Sequence, residues 1–418
     1  MRKHLHLTVI ATAISIIITW ALLEISLHLA AKIFPRVDAF LFPASFEWLI
    51  SDSDLIYRGN PLAPDHDASG FRNANIPSKA EIVAIGDSHT YGAAVHFDEA
   101  WPHELEKFTS CRVYNMGSSG YGPLQYAILA ERAMHFGPRV LLIGIYFGND
   151  FFDNWEMYIR HRDNYPVPES LLQPAIELEQ KTPLARDVKE FFGWVGQPSG
   201  RSNNLVWSMG EFFSKHSAVW GFGQAIKNKL LNEQETGMPS VLSGNFNTAV
   251  ASLTARQLEY ASIFDGEGWR TILTSRYREA VENDDDPRIR VGYWLTEWAV
   301  QRINNLARQN GIRSIFVLLP TKESVFAAKV RDTAEHKYFE KLITEEAHYR
   351  QRLIHFMQNL NSSYVDLTPL LRTSAIQPYF DNANSHPNAV GHKIIAARLA
   401  EELHAPCYQD NVDVVRHK

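Results

Sequence analysis

Short, continuously apolar runs that stop at a glycine or a polar turn recur along this chain. Ile82-Val83-Ala84-Ile85 ends at Gly86, and a second short strand, Arg112-Val113-Tyr114-Asn115-Met116, less apolar, is stopped by Gly117. A third, Arg139 to Phe147, is apolar over nearly all its length and stops in Gly148-Asn149-Asp150. Such runs, β-branched and lacking polar alternation, predict strands covered on both faces. Helical patterns separate them. One begins at Trp101-Pro102, where proline suits a first turn, and one runs from Leu124 to Phe136 before Gly137-Pro138 breaks it.

From Phe151 to about Pro287 this rhythm stops. Aromatic-rich amphipathic pieces such as Val206 to Phe213 and Leu253 to Phe264 lie there between polar loops, which reads as an insertion. Beyond it the pattern predicts a helix from about Gly292 to Gln309, a strand at Ser314 to Leu319, a short strand at Ser363 to Leu367 and a terminal helix from Ile394 to Leu403. Alternating strands and helices imply parallel pairing through right-handed crossovers. The expected fold class is α/β, a three-layer α/β/α sandwich on a parallel sheet of about five strands with a large insertion after strand three. The divisions are 1–35 for an N-terminal helix and stalk, 36–79 for a linker packing on the body, 80–150 for the first half of the core, 151–287 for the insertion and 288–418 for the second half.

No charged residue lies between Leu7 and Leu23, a stretch of Leu, Val, Ile, Ala, Thr and Ser with Trp20 toward one end. Its length just reaches across a bilayer core, and Ile25, Leu27, Leu29 and Ile33 carry the helix on as an amphipathic stalk. His28-Leu29-Ala30-Ala31 puts His or Leu where a signal peptidase needs a small side chain, which favours an uncleaved transmembrane anchor over a removed signal peptide. Arg2 and Lys3 before the span are matched by Lys32 and Arg36 after it, so flanking charge hardly orients it. Long domains cross largely regardless of charge, and the body is expected outside the cytoplasm, in a periplasmic or extracytoplasmic space. There Cys111 and Cys407 either pair, tying the C-terminus to the sheet, or remain two buried thiols.

With 418 residues and 45% hydrophobic content the chain can bury a large core. A formal net charge of -6 and the lack of a long Lys/Arg block argue against a nucleic-acid partner, which a basic footprint would announce. The histidines and acids show no ligand spacing such as His-Glu-x-x-His, so neither a metal nor another cofactor is expected.

The candidate chemistry centres on Gly86-Asp87-Ser88-His89-Thr90-Tyr91-Gly92, directly after the first strand. In open α/β sheets the carboxyl ends of strands are where ligands bind, and a strand-to-helix turn there presents a serine hydroxyl beside helix-start amides. Acyl transfer needs a nucleophile, a base of near-neutral pKa and donors aimed at the developing oxyanion. Ser88 supplies the nucleophile and one backbone N–H. Gly117, at the end of strand two, offers a second N–H, and Asn149, at the end of strand three, adds an uncharged side-chain amide. The base expected is His386, in the polar loop Asp381 to Asn388 before the last helix. His392 reads instead as packing at a helix start, and Asp87 as a turn and helix-start hydrogen-bonder.

These blocks, Gly-Asp-Ser-His-Thr-Tyr-Gly, Gly117 in Asn-Met-Gly, Asn149-Asp150 and His386-Pro-Asn, resemble in order those of the SGNH, or GDSL-type, hydrolase superfamily. They span Val83 to Leu403, with the insertion unmatched. The resemblance implies a flavodoxin-like sheet, Ser88 as nucleophile, His386 as base, an oxyanion hole of Ser88, Gly117 and Asn149, and esterase or acyl-transfer activity. Pro320-Thr321-Lys322-Glu323 after strand four, with the anchor, also looks loosely like the membrane-anchored bacterial branch that includes alginate O-acetyltransferase-like proteins.

One departure stands out. The family usually places an Asp two or three residues before the histidine, where this chain has Asn384 and Ala383. Asp381, brought near by a bulged loop, is the expected third member; Asn384 in that role, or a dyad, are the alternatives. Lys322 and Arg276 are candidate contacts to an anionic glycan, with solvated surface as the other reading. The function expected is a membrane-anchored serine esterase or O-acyltransferase moving small acyl groups, acetyl above all, on a carbohydrate, in the company of polysaccharide-assembly proteins. The alternative is a catalytically decayed glycan-binding or assembly protein, motivated by the missing Asp and by the large aromatic insertion, the chain's ten Trp leaving scope for sugar stacking.

Overall fold

The computed structural model describes residues 2–42, 46–63, 65–161, 165–184, 213, 216–231, 242, 244–258, 261–266, 268–330 and 337–403. A long helix α1 (Arg2–Ile33) and a short α2 (Pro35–Leu41) precede an antiparallel hairpin of β1 (Leu49–Asp52) and β2 (Ile56–Gly59). The core then begins with β3 (Ile82–Gly86), α3 (Ser88–Tyr91), α4 (Trp101–Thr109), β4 (Val113–Asn115), α5 (Pro123–Ala133) and β5 (Val140–Tyr146). Helices α6 (Asp150–Arg160), α7 (Glu169–Lys181), α8 (Ala218–Leu231), α9 (Phe246–Ala251) and α10 (Ala255–Leu258) lead to a second hairpin, β6 (Ser262–Gly266) with β7 (Trp269–Leu273). The chain returns to the core through α11 (Ser275–Glu282), α12 (Pro287–Gln309), β8 (Arg313–Leu319), α13 (Lys322–Val330), α14 (Lys337–Asn359), β9 (Ser363–Asp366), α15 (Thr368–Arg372) and α16 (Ala389–Leu403).

Five strands form one sheet in the order β4-β3-β5-β8-β9, parallel throughout. This is the flavodoxin-like order, with the reversal between β3 and its two neighbours. Alternation along each strand divides the core in two. Val83, Ile85, Leu141, Ile143 and Ile145 meet α5, α12 and α14 on one face, whereas Ile82, Ala84, Leu142, Ile315 and Val317 meet α4, α13 and α16 on the other. Both faces being covered explains why the central strands β3, β5 and β8 read as nearly unbroken apolar runs.

Several boundaries differ from the sequence reading for local reasons. Helix α12 starts at Pro287 rather than Gly292 because Asp286 caps it, accepting from the Arg288 N–H at 2.8 Å, with proline in the first turn. Helix α16 starts at Ala389 rather than Ile394, where the Asn388 side chain accepts from the Gly391 N–H at 3.0 Å. The piece Leu253 to Phe264 is not one amphipathic helix: α10 ends at Leu258, and Ser262 opens the β6–β7 hairpin. Val206 to Phe213 lies, but for Phe213, outside the described residues. The linker 36–79 holds α2 and the β1–β2 hairpin, so it is structured. Helix α1 is unbroken, and Thr8–Ile33 within it is long and apolar enough to cross a membrane, with mean hydropathy 2.0. Cys111 is buried just before β4, and Cys407 lies outside the described residues.

Candidate active site

Strand β3 ends at Gly86, where a Cβ would lie 2.1 Å from the Thr90 hydroxyl oxygen, so the turn into α3 closes only around glycine. Asp87, fully buried, caps α3 by accepting from the His89 N–H at 2.9 Å, the role expected of it. Ser88 is thereby the first helical residue, and its own N–H donates to no group among the described residues.

The loop before α16 delivers His386 to this serine. Its Nε2 lies 2.8 Å from Ser88 Oγ, and its Nδ1 lies 2.7 Å from Asn384 Oδ1. The Asn384 oxygen also accepts from the His386 backbone N–H at 3.0 Å, while its amide nitrogen donates to the Leu242 carbonyl at 3.4 Å. The carbonyl of Leu242 can only accept, so the amide is oriented with its oxygen toward the ring. Nδ1 must then carry the proton and Nε2 is bare, an acceptor at 2.8 Å for the Ser88 hydroxyl, whose other acceptor is Asp87 Oδ2 at 3.2 Å.

Asp381, the expected third member, is elsewhere. Its carboxylate accepts from the Phe246 N–H at 3.4 Å and faces Arg270 Nε at 3.5 Å, turned toward the insertion. The loop is tight rather than bulged: Asn382 Oδ1 accepts from the Asn384 N–H at 2.8 Å, which points Asn384 inward. The alternative partner, Asn384, therefore occupies the position. Lys322 is likewise no glycan contact. It is fully buried, and its ammonium donates to the carbonyls of Asn382 and Asn384 at 2.7 and 2.9 Å, pinning the histidine loop from beneath. Burial pulls its pKa down to about 7 against the pull of Glu323. Arg276 stacks over the Tyr338 ring at 5.2 Å and does not line the cavity described below. Its neighbour Arg278 does, bridging the loop after β5 and the histidine loop by donating to the Gly148 carbonyl at 2.6 Å and to Ser385 Oγ.

With an amide in place of a carboxylate, no acidic side chain among the described residues contacts the His386 ring, and the nearby Asp87 carboxylate is engaged by Ser88 Oγ and His89 Nδ1, each at 3.2 Å. Burial, then the neighbouring His89, Arg278, His392 and Lys322, hold its pKa well below the usual histidine value. His89 sits 4.8 Å away, stacked on Tyr146 at 3.7 Å, and was not singled out from sequence. His392 packs at the helix start as expected, its Nδ1 accepting from the Trp101 N–H at 3.2 Å.

Ser88, His386 and Asn384 open on a cavity of about 530 Å³. Ile56, Phe152, Met157 and Leu242 give it apolar walls, and Tyr57, Tyr146 and Tyr277 give it aromatic ones. Asn149 is there too, but its amide donates to Asp153 at 2.6 Å, which leaves one of its two N–H groups for a substrate oxygen. Gly117 does not fill its expected role. Its N–H is spent on Asn115 Oδ1 at 2.9 Å, and a Cβ there would stand 2.5 Å from the Tyr91 nitrogen, so this glycine serves packing against α3. The cavity wall is Gly120, three residues on. Its φ is +75°, its N–H donates to no group among the described residues, and its carbonyl accepts from the Tyr57 hydroxyl at 2.7 Å. The sequence signal was the second glycine of Gly117-Ser118-Ser119-Gly120. Among the described residues no group of three His, Cys, Asp or Glu side chains could hold a metal ion.

No family model matches the chain, and no curated protein matches it. It is similar to a solved structure from Desulfitobacterium hafniense described as lipolytic and of the G-D-S-L family, at 11% identity over 78% of this chain and 99% of that one, with a TM-score of 0.34. It is similar also to one from Bacteroides fragilis described as an acylhydrolase, at 10% identity over 79% of this chain and 91% of that one, with a TM-score of 0.34. The site itself rests on the distances above.

A base held below its usual pKa stays neutral in mild acid. Ester turnover by the native chain should therefore keep a flat kcat/KM from pH 8 down through 6.5 and fall only below that. Asn384→Asp should move this limb to higher pH, because a carboxylate against Nδ1–H favours imidazolium. A native limb at or above 6.5, or an unmoved limb in the variant, would contradict the arrangement. Gly117→Ala should lower the melting temperature, corresponding to about 1–3 kcal/mol of overpacking, yet leave the rate per folded molecule within a few-fold. Asn149→Ala should instead keep its fold and lose about 10²–10³ in kcat.

Proposed function

We propose that this chain is a serine ester hydrolase or O-acyltransferase, and the observation that carries the reading is the hydrogen-bond chain from Asn384 through His386 to Ser88. As Ser88 Oγ attacks an ester carbonyl, its proton passes to His386 Nε2. The imidazolium so formed is held by its Nδ1–H bond to Asn384. The tetrahedral oxyanion is met by the N–H groups of Ser88 and Gly120 and by the Asn149 amide. His386 then returns the proton to the departing alcohol, leaving acyl-Ser88. Water or a sugar hydroxyl, deprotonated by the same nitrogen, releases the acyl group and restores the serine.

Aromatic faces and the polar groups Gln125, Asp153 and Arg278 in one cavity support an acylated carbohydrate as the substrate. Its volume also supports a second reading. A cavity of about 530 Å³ is several times what acetyl fills, and the walls of Ile56, Phe152, Met157 and Leu242 suit a longer acyl chain. Of the two motives for the decayed-protein alternative, the missing Asp is answered by Asn384, which stands against His386 Nδ1, and the aromatic insertion is left. The apolar run of α1 supports a body tethered to a membrane, and the extracytoplasmic side is inferred only from the tendency of long domains to cross regardless of flanking charge.

A fluorophosphonate probe should label the native chain at Ser88, and Ser88→Ala should abolish labelling and lower ester turnover by at least ~10³-fold. An unlabelled native chain, with turnover unchanged in Ser88→Ala, would sink the enzyme reading. Across p-nitrophenyl esters, kcat/KM highest at acetate supports the carbohydrate acyl group, and a maximum near octanoate supports the longer chain.

A further inference from the structure

Just past the uncharged run of α1 stands Glu24, and the structure gives it a partner from far along the chain. Its carboxylate accepts from the backbone N–H of Ala218 at 2.7 Å and of Val219 at 3.0 Å, and from the Ser217 hydroxyl at 3.1 Å. The two N–H groups are first-turn donors of α8, which the helix would otherwise leave unsatisfied, and the positive end of its dipole faces the same charge. A carboxylate at the edge of an apolar span is costly unless it is paired. The contact therefore fixes the start of α8 at the level of Glu24, within one turn of Leu23.

Packing makes α1, α2 and α8 one unit. Ala31, Leu41, Phe42 and Ala218 form a small core, and a Cβ on Gly221 would come within 2.0 Å of the Leu41 carbonyl oxygen, so two backbones touch there. Helix α8 spends Ala218 and Gly221 on this contact and turns Trp220, Phe222 and Ile226 outward, each at least 40% exposed. Phe40 of α2 and Phe34 before it are exposed as well, and the Phe40 and Phe222 rings lie 6.5 Å apart. The patch continues the exposed apolar surface of Ile25, Leu29 and Ile33 on α1. Lys32 and Arg36, also exposed, flank it with positive charge.

We propose that α8 is a second membrane-contacting element, laying Trp220, Phe222 and Ile226, with Phe34 and Phe40, into the headgroup layer of the bilayer that α1 crosses. With 14 residues α8 is about 21 Å long, too short to span, so it lies in the interface. Aromatic side chains favour that layer, and Lys32 and Arg36 meet anionic lipid phosphates. The insertion would then hold the body close to the bilayer at two elements instead of letting it swing from one helix. This rests on α1 being a membrane span, and the test separates the two claims.

The full chain, carrying p-benzoylphenylalanine singly at Ile14, Phe108, Trp220 or Phe222, would be reconstituted in phosphatidylethanolamine–phosphatidylglycerol vesicles, irradiated and weighed by intact mass spectrometry. Lipid adducts are expected at 14, 220 and 222 and not at 108, which is exposed on the body. Adducts at 14 alone, or a cross-link to a second copy from 220 and 222, overturn the docking of α8 and leave the span standing. No adduct at 14 overturns both. Glu24→Ala should cut the yield at 220 and 222 without changing that at 14, and unchanged yields would show that Glu24 does not hold α8.

Discussion

The site depends on a neutral side chain doing work usually given to a carboxylate. Asn384 Oδ1 receives the Nδ1–H of His386, and that one bond decides which ring nitrogen is bare to face Ser88. An amide can do this because orientation and tautomer require only an acceptor. What it does not provide is a negative charge to stabilise the imidazolium. Burial, with Arg278 and Lys322 among the groups around His386, then pushes it toward neutrality.

An arrangement of this kind needs external bracing, and the loop has it on several sides. Lys322 holds two of its carbonyls, Arg278 reaches Ser385, and the Thr271 hydroxyl on β7 reaches the carbonyls of Phe380 and Asn382 at 3.1 and 3.3 Å. Two of these braces, with the Leu242 carbonyl that orients Asn384, come from the stretch 151–287 that interrupts the αβ rhythm. The insertion is thus part of the site's rigidity, and through Leu242 and Tyr277 it is part of the cavity wall.

How much of this was legible in the sequence follows from the range of the forces involved. The three central strands β3, β5 and β8 were, because both-face burial leaves a nearly unbroken apolar run that local pattern reveals, whereas the edge strands β4 and β9 carry Asn115, Ser363 and Asp366 and signal less. Ser88, Asn149 and His386 were, because each sits at a strand end or in a polar loop beside a helix start. The choice between Gly117 and Gly120 was not, since it turns on Asn115 capturing the nearer N–H. Nor was the choice between Asp381 and Asn384, which the short-range turn through Asn382 decides against the residue with the more familiar chemistry. The burial of Lys322 and the approach of Tyr57 to Gly120 depend on contacts between distant segments, and no local pattern encodes them.

The central claim is that His386 is a neutral base held by an amide in its Nδ1–H tautomer, and nitrogen-15 NMR of the histidine-labelled chain reads this directly. The account predicts a His386 ring protonated at Nδ1 and bare at Nε2, staying neutral as pH is lowered through 6.5. A ring protonated at Nε2, or one that becomes imidazolium above pH 6.5, would contradict it.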